Sequence, residues 1–441
     1  MENLKKKKMK IKNYIWLCLL MTLTQMSYGQ QVTKSKSGTF LLKNATIHTI
    51  TNGNIQGDLL IREGVIQDIG RRVEARDAEQ IDCTGKHIYP GFIDGGTTLG
   101  MSEVGAVSLT NDFAEIGDFI PHMQALTAVN PNAVAIPVTR VNGVTSVIAK
   151  PAGGLFPGTA ALVNLHGYTP QQMYAGFKGV LMNFPSTGRR GRRDRRSDDD
   201  IKKDNDKALK KLNDIWDKAI LYAQIDSMGQ ASRTERNDFN PQMEAMMHVL
   251  SGETPLMIEV NKDKDILAAI KWVKSKGTNA ILTGVSEGWR VADSIAMSGL
   301  PVITGPVLNT PARSSDKYDA PYRNASVMQK AGVKVVIRSN DSENVRNLPF
   351  NAGFAATYGM GVEEALKAIT INAAEVFGVA DKLGSLEKGK MANLFVSTGD
   401  PFEMKSDITH LFIEGYQIPI ENRHTLLYDE FLERDPGLKK D

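Results

Sequence analysis

The sequence predicts a mixed α/β chain: a (β/α)8 barrel of the TIM type with a small all-β domain built from both chain ends. Three observations lead there. Apolar, strand-like runs begin at residues 256, 280, 301 and 333, spaced 24, 21 and 32 residues apart with helical patterns between them, which suits βα units of a parallel sheet. Short strand-and-turn pieces without helical period occupy residues 38–88 and recur from residue 384. Between them, YPGFIDGGTTLG (residues 89–100) starts as a buried strand at Phe92 and Ile93 and then breaks into small residues. A doubly wound sheet satisfies the same periodicity, but no Gly-x-Gly-x-x-Gly follows a strand, which counts against a dinucleotide-binding version.

The 441 residues are 41% hydrophobic and 23% charged, enough to bury a large core without disulfide staples. Residues 1–29 read as a cleaved targeting segment. Lys5 to Lys8, Lys10 and Lys12 form a basic start, Tyr14 to Leu23 a short apolar run, and Ser27, Tyr28 and Gly29 a small-x-small site before Gln30. A membrane anchor is the alternative, but the run is short and its tail polar. Cys18 follows Trp16 and Leu17, not the small residues of a lipoprotein signal. The segment carries six lysines and Glu2, so its removal takes the net charge from +3 down by five to −2. The basicity therefore belongs to the segment, and nucleic-acid binding is not expected. Only Cys83 remains beyond it, which excludes an intramolecular disulfide. The expected location is exported, periplasmic or secreted, with no stable membrane span after cleavage.

The domain reading is 1–29 signal peptide, 30–88 first part of the β domain, 89–383 barrel, and 384–441 second part of the β domain with a C-terminal tail. In the first part, residues 39–50, 58–62 and 65–69 are strand-like, with a hairpin signal at Glu63-Gly64. In the barrel, residues 144–149, 180–183, 256–260, 280–283, 301–304 and 333–338 read as strands. Helices are expected after residue 260, over 287–298 and over 348–358. Residues 187–206 interrupt the pattern: six arginines precede Asp198, Asp199 and Asp200, which reads either as an anion-binding or processing loop or as a mobile, solvated insertion. A helix follows with Leu209, Leu212, Trp216, Ala219 and Ala223 on one stripe. The last β piece has a turn-strand pattern over 384–397 and a hairpin around Glu414-Gly415.

Several of these stretches resemble the amidohydrolase superfamily, nearest its imidazolonepropionase-like members. PGFIDGGTT resembles the first-strand pattern P-G-[FL]-I-D-x-H-x-H; GVTSV (143–147) resembles the second strand. Gly153, Gly154 and Gly158 sit where those members have a glycine-rich loop. TINAAEVFG (370–378) and the stretch from Gly384, with Asn393 in place of the usual Asp, match later motifs. The resemblance spans most of the chain after residue 38. It implies that the β domain is a β-sandwich and that the inherited chemistry is hydrolysis of a C–N bond in a cyclic amide or peptide-like molecule, with metal as Lewis acid.

The same resemblance exposes departures at the site. Two histidines at i and i+2 of a strand point the same way and can share a metal; those slots hold Gly96 and Thr98. The strand-four ligand falls near Asn183, the strand-five histidine becomes Glu259, and the strand-six histidine becomes Gly284, with a one-residue shift possible. Asp341 stands at the strand-eight aspartate. The ligand positions Gly96, Thr98, Glu259 and Gly284 are thus degenerate, and neither zinc, the family's metal, nor another cofactor is expected. Of the seven histidines, only His122 and His166 are placed near the barrel mouth. Two readings stay open. In one, Asp341 is a catalytic base with Glu259 as a second acid/base group, while Thr98, Glu103, Gly153 and Gly154 bind substrate. In the other, Glu259 forms a salt bridge with Arg338 or Arg290 in space left by the metal, and the chain is an inactive binding module or partner of an active relative. A small-molecule or peptide-like ligand and an oligomer are expected in both.

Overall fold

β-Branched and aromatic residues drive the two chain ends into one sheet. The computed structural model describes residues 34–188, 194–232 and 238–434; the targeting segment expected over 1–29 and the arginine-rich part of the insertion, 189–193, lie outside them. Residues 36–441 group into one unit. Its first strands are β1 (Phe40–His48), β2 (Asn54–Arg62), β3 (Val65–Gly70), β4 (Glu79–Asp82) and β5 (His87–Pro90). Phe40, Leu42, Ala45 and Ile47 of β1 are buried. Their alternation is reset at a bulge between Leu42 and Ala45, where Asn44 takes φ 62° and its N–H reaches the Asp58 carboxylate at 2.9 Å.

The barrel follows: β6 (Phe92–Thr97), β7 (Val144–Ala149), β8 (Gly158–Asn164), β9 (Tyr174–Asn183), β10 (Leu256–Val260), β11 (Ala280–Gly284), β12 (Val302–Thr304) and β13 (Val335–Ile337). The chain then returns to the first sheet as β14 (Leu394–Ser397), β15 (Ile408–Ile413) and β16 (Tyr416–Ile418). The order of that sheet is β16-β15-β14-β5-β1-β2-β3, with β4 on β1, so the two chain ends interleave as the sequence suggested. Phe40 meets Phe412 edge-on at 5.2 Å between ring centres, and Phe395 of β14 packs on Tyr89 and Phe92, joining sheet to barrel.

The barrel strands lie in sequence order, β6 to β13. Its two ends are joined by the Asn340 N–H to the Gly96 carbonyl (3.0 Å) and the Thr98 N–H to the Asp341 carbonyl (3.3 Å), giving a nearly closed barrel. One strand departs from the all-parallel expectation. β8 runs antiparallel to both β7 and β9. Only residues 150–157 separate β7 from β8, too few for the crossover that a parallel neighbour needs. Gly153, Gly154 and Gly158 suggest a glycine-rich loop here, but Gly158 opens β8. The barrel interior is filled by Ile93, Ile148, Leu162, Leu181, Met257, Ile281, Ile303 and Val336, each buried; burial of such side chains contributes roughly 1.5–3 kcal/mol apiece. A β-carbon at Gly95 would lie 2.6 Å from Ile303 Cγ2, so the first glycine of DGGTT is a packing requirement.

Helices cover the parallel half. Asp263–Lys276 buries Ile266, Ala269, Ile270 and Val273 and ends at Gly277 in the left-handed region. The helix expected over 287–298 is a short 3-10 turn, Gly288–Arg290, followed by Ala292–Ser298. A helix of 35 residues, Asp198–Ser232, begins inside the charged insertion. The tail carries a helix, Arg423–Glu433, that the sequence reading left unassigned. Among the described residues no helix is long and apolar enough to cross a membrane.

Candidate functional site at the barrel mouth

Strand alternation decides what reaches the mouth. Ile148, Met257, Ile281 and Val336 face the barrel interior, so the residues two further on, Lys150, Glu259, Thr283 and Arg338, point the same way one layer higher. Arg338 and Glu259 meet there in a two-pronged ion pair, Nη1 to Oε2 and Nη2 to Oε1, both at 2.7 Å. The Arg338 side chain is 3% exposed. Its Nε donates to the Gly305 carbonyl at 3.3 Å. Glu259 also accepts from the Thr283 hydroxyl (2.9 Å) and from Asn261 Nδ2 (3.4 Å).

Two further charges complete the cluster. Asp94, fully buried, accepts the N–H of Gly96 at 2.9 Å and that of Ser339 at 3.0 and 3.2 Å, which ties the end of β6 to the end of β13. Lys150 leaves β7 and shares the field of Arg338, Glu259 and Asp94. The electrostatics follow from burial and partners. Burial alone would raise the Glu259 carboxyl, but the Arg338 guanidinium, with Lys150 and Thr283, holds it far below the usual carboxylate range. Burial would lower Arg338, and Glu259 more than reverses this. Burial pushes Asp94 up to about 6. Burial, reinforced by Arg338, brings Lys150 down to about 8.

Gly96, Glu259 and Gly284 converge on this cluster. A β-carbon at Gly96 would lie 3.2 Å from Lys150 Cδ and 3.4 Å from Arg338 Cδ. One at Gly284 would lie 2.6 Å from both Glu259 Oε1 and Asn261 Oδ1, and Gly284 has φ 85°, in the left-handed region. Thr98 is held beside them through its backbone bond to Asp341. The Asp341 side chain goes elsewhere. Its Oδ1 accepts the N–H groups of Ser342 (2.7 Å), Glu343 (2.9 Å) and Asn344 (3.1 Å), just before the turn Asn344–Asn347. Burial would raise that carboxyl, but these N–H groups hold it below its ordinary value. Asp341 and Glu259 are thus each engaged by other partners, Asp341 by local N–H groups and Glu259 by Arg338.

The other proposed substrate-binding residues, Gly153, Gly154 and Glu103, make their own local bonds. The carbonyls of Gly153 and Gly154 accept from Asn183 Nδ2 at 2.6 and 2.7 Å, so the glycine loop is tied to the end of β9. The Glu103 carboxylate accepts from Asn130 on an outer loop. His166 packs against Tyr416 of the composite sheet, on the β-domain side, and not at the mouth. A cavity of about 230 Å³ opens beside the cluster, lined in part by Glu259, Asn261, Thr304, Asn309, Arg338 and Asn340. Among the described residues no group of three or more His, Cys, Asp or Glu side chains is arranged to hold a metal ion. Arg338 is one of the partners the sequence offers for Glu259, whereas Lys150 and Asp94 are additions from the structure. Their signal was an apolar strand residue followed two positions later by a charge.

An eight-stranded barrel with polar groups at its strand ends and a composite β domain defines a class of TIM-type barrel folds. Residues 88–418 match the amidohydrolase family, and the chain belongs to that family. A solved amidohydrolase from Thermotoga maritima MSB8 is 27% identical, with a TM-score of 0.77 over 86% of this chain and 99% of its own. A D-hydantoinase of Geobacillus stearothermophilus is 46% identical over 79 residues, 18% of this chain and 16% of the relative. An imidazolonepropionase of Thermoplasma volcanium is 39% identical over 87 residues, 19% of this chain and 22% of the relative. The chain thus matches less than a quarter of the length of these two curated relatives.

Proposed function

We propose that the protein takes a small amide- or peptide-like molecule at the strand-end cavity and that its inherited chemistry, hydrolysis of a C–N bond, runs without a resident zinc ion. The observation that supports the metal-free part is the buried Arg338–Glu259 pair. A resident divalent cation of the family's kind does not fit these residues. Gly96 and Gly284 offer no side-chain donor, the space before Gly96 holds two cationic side chains, and Glu259 is already bonded. A second reading, a binding member without catalysis, is favoured by the engagement of both Glu259 and Asp341, which leaves neither as a ready base. We further infer export, from the basic and apolar character of residues 1–29.

The test is metal analysis of the purified chain beside turnover assays with hydantoin, dihydroorotate and simple dipeptides. The expected result is no stoichiometric metal, with turnover that survives chelator and is lost in R338M. Tightly held zinc at one per chain would overturn the metal-free reading. Probes that bind but are never cleaved would decide for the second. For export, the mass of the secreted chain should correspond to a start at Gln30; a full-length mass would rule cleavage out.

A further inference from the structure

The cluster leaves one charged group without a bonding partner. Both Glu259 oxygens are engaged by Arg338, Thr283 and Asn261. Both Asp94 oxygens accept backbone N–H groups. Arg338 gives Nη1 and Nη2 to Glu259 and Nε to Gly305. Among the described residues the Lys150 ammonium makes no hydrogen bond or close ion pair, although it lies in the field of three of these charges. It is also half-buried among these charges, and an ammonium so placed gains from an anionic partner. Its stem passes directly before Gly96, where any larger residue would have to displace it.

We propose that Lys150 and Arg338 form a two-cation floor at the barrel mouth, and that the Lys150 ammonium takes the carboxylate of a small ligand there. This rests on the reading that the mouth binds a small molecule without resident zinc. Arg338, fixed by Glu259, holds the geometry and the positive field, while Lys150 supplies the free donors. A carboxylate suits the place because an ammonium with three rotatable donors meets a compact oxyanion without a planar fork. It also restores charge pairing to the one member of the cluster that lacks it. Lys150 is therefore a binding residue, and Arg338 and Gly96 are positioning residues.

Carbamoylation by cyanate tests this on the whole chain, because the reagent is small and reacts with the unprotonated amine. Purified protein is treated at pH 8, and modified lysines are located by peptide mass mapping, with the exposed Lys202 and Lys388 as internal references. Lys150 is expected to react several-fold faster than either. N-acetylglycine is expected to slow the reaction at Lys150 several-fold without affecting the references, whereas N-acetylglycinamide, the same molecule without the carboxylate, should not. R338M should abolish this protection even where the variant keeps its secondary structure by circular dichroism. Equal slowing by both probes, or no slowing by either, would overturn the carboxylate assignment. Turnover by metal-free protein in that event would leave the proposed function standing. Conversely, Lys150 protection without any turnover would sustain the site and remove the hydrolytic reading.

Discussion

Arg338 answers a charge that nothing else at the mouth answers so directly. Removing it leaves Glu259, a partly exposed carboxylate, without its cation, so R338M is expected to lose up to about 3 kcal/mol of stability, the lower end of the range for breaking one half of a buried pair. E259Q added to R338M should recover part of that loss, and urea unfolding of the two single variants and the double measures the coupling. Strictly additive losses would show that the pair does not act as a unit. Lys150 gives a separate signature in pH. Burial lowers its folded value to about 8, below the 10.5 of a free lysine, so the unfolded chain binds more protons between these values. Wild-type stability should therefore rise from pH 8 to about 10.5 by on the order of 2 kcal/mol relative to K150M. A parallel pair of stability curves would contradict the assignment. These residues show how much of the site was legible. The glycines at 96 and 284 could be read directly, because a residue without a side chain is visible in a motif. The charges around them could not, because Ile148 with Lys150 and Val336 with Arg338 meet only when distant strands close into a barrel. Asp341 shows the same limit: its place in a motif fixes the backbone, while the N–H groups of Ser342, Glu343 and Asn344 decide which way its Oδ1 turns.

At the scale of the element, the charged insertion shows a local signal masked by composition. The run of arginines and aspartates reads as a loop, anion-binding or solvated, yet Ser197 starts a helix. Its hydroxyl oxygen accepts the Asp200 N–H at 3.1 Å and its own proton goes to the Asp200 carboxylate at 2.7 Å. Asp198, Asp199 and Asp200 then occupy the first turn, where negative charge meets the positive end of the helix dipole. Ile201, Leu212 and Trp216 supply the buried stripe that the helical period predicted further along. S197A is expected to weaken this start by about 1 kcal/mol. Hydrogen exchange should show it as lost protection over residues 200–204, with the centre of the helix unchanged. No change in those amides would mean that the acidic turn and Ile201 suffice. β8 teaches the complementary lesson. Gly153, Gly154 and Gly158 mark a loop in the sequence, whereas the shortness of residues 150–157 is what sets the direction of β8.

At the scale of the whole molecule, the interleaving of chain ends is the feature most clearly written in the sequence. Both end pieces lacked helical period and both carried hairpin signals, and hydrophobic alternation specifies a sheet strongly when one face is buried. Their strand order was not readable, because pairing depends on contacts more than 300 residues apart, such as Tyr89 with Phe395. That order makes a strong demand on folding. β14 sits between β5 and β15, in the middle of the sheet. Ending the chain at residue 393 would remove β14, β15 and β16 together. It would bare the β5 edge and uncover Phe40, Tyr89 and Phe92, which pack on Phe412 and Phe395. A bare apolar edge strand is a template for aggregation. The shortened chain is therefore expected to lose cooperative unfolding and to accumulate in insoluble form, and a separately supplied 394–434 segment should rescue part of the soluble yield. The barrel would not be spared, because Phe92 opens β6 and Phe395 closes over it from the other chain end. A shortened chain that stayed soluble and unfolded in one sharp transition would show the barrel to be independent of the composite sheet. The mouth would then owe its geometry to the barrel strands alone.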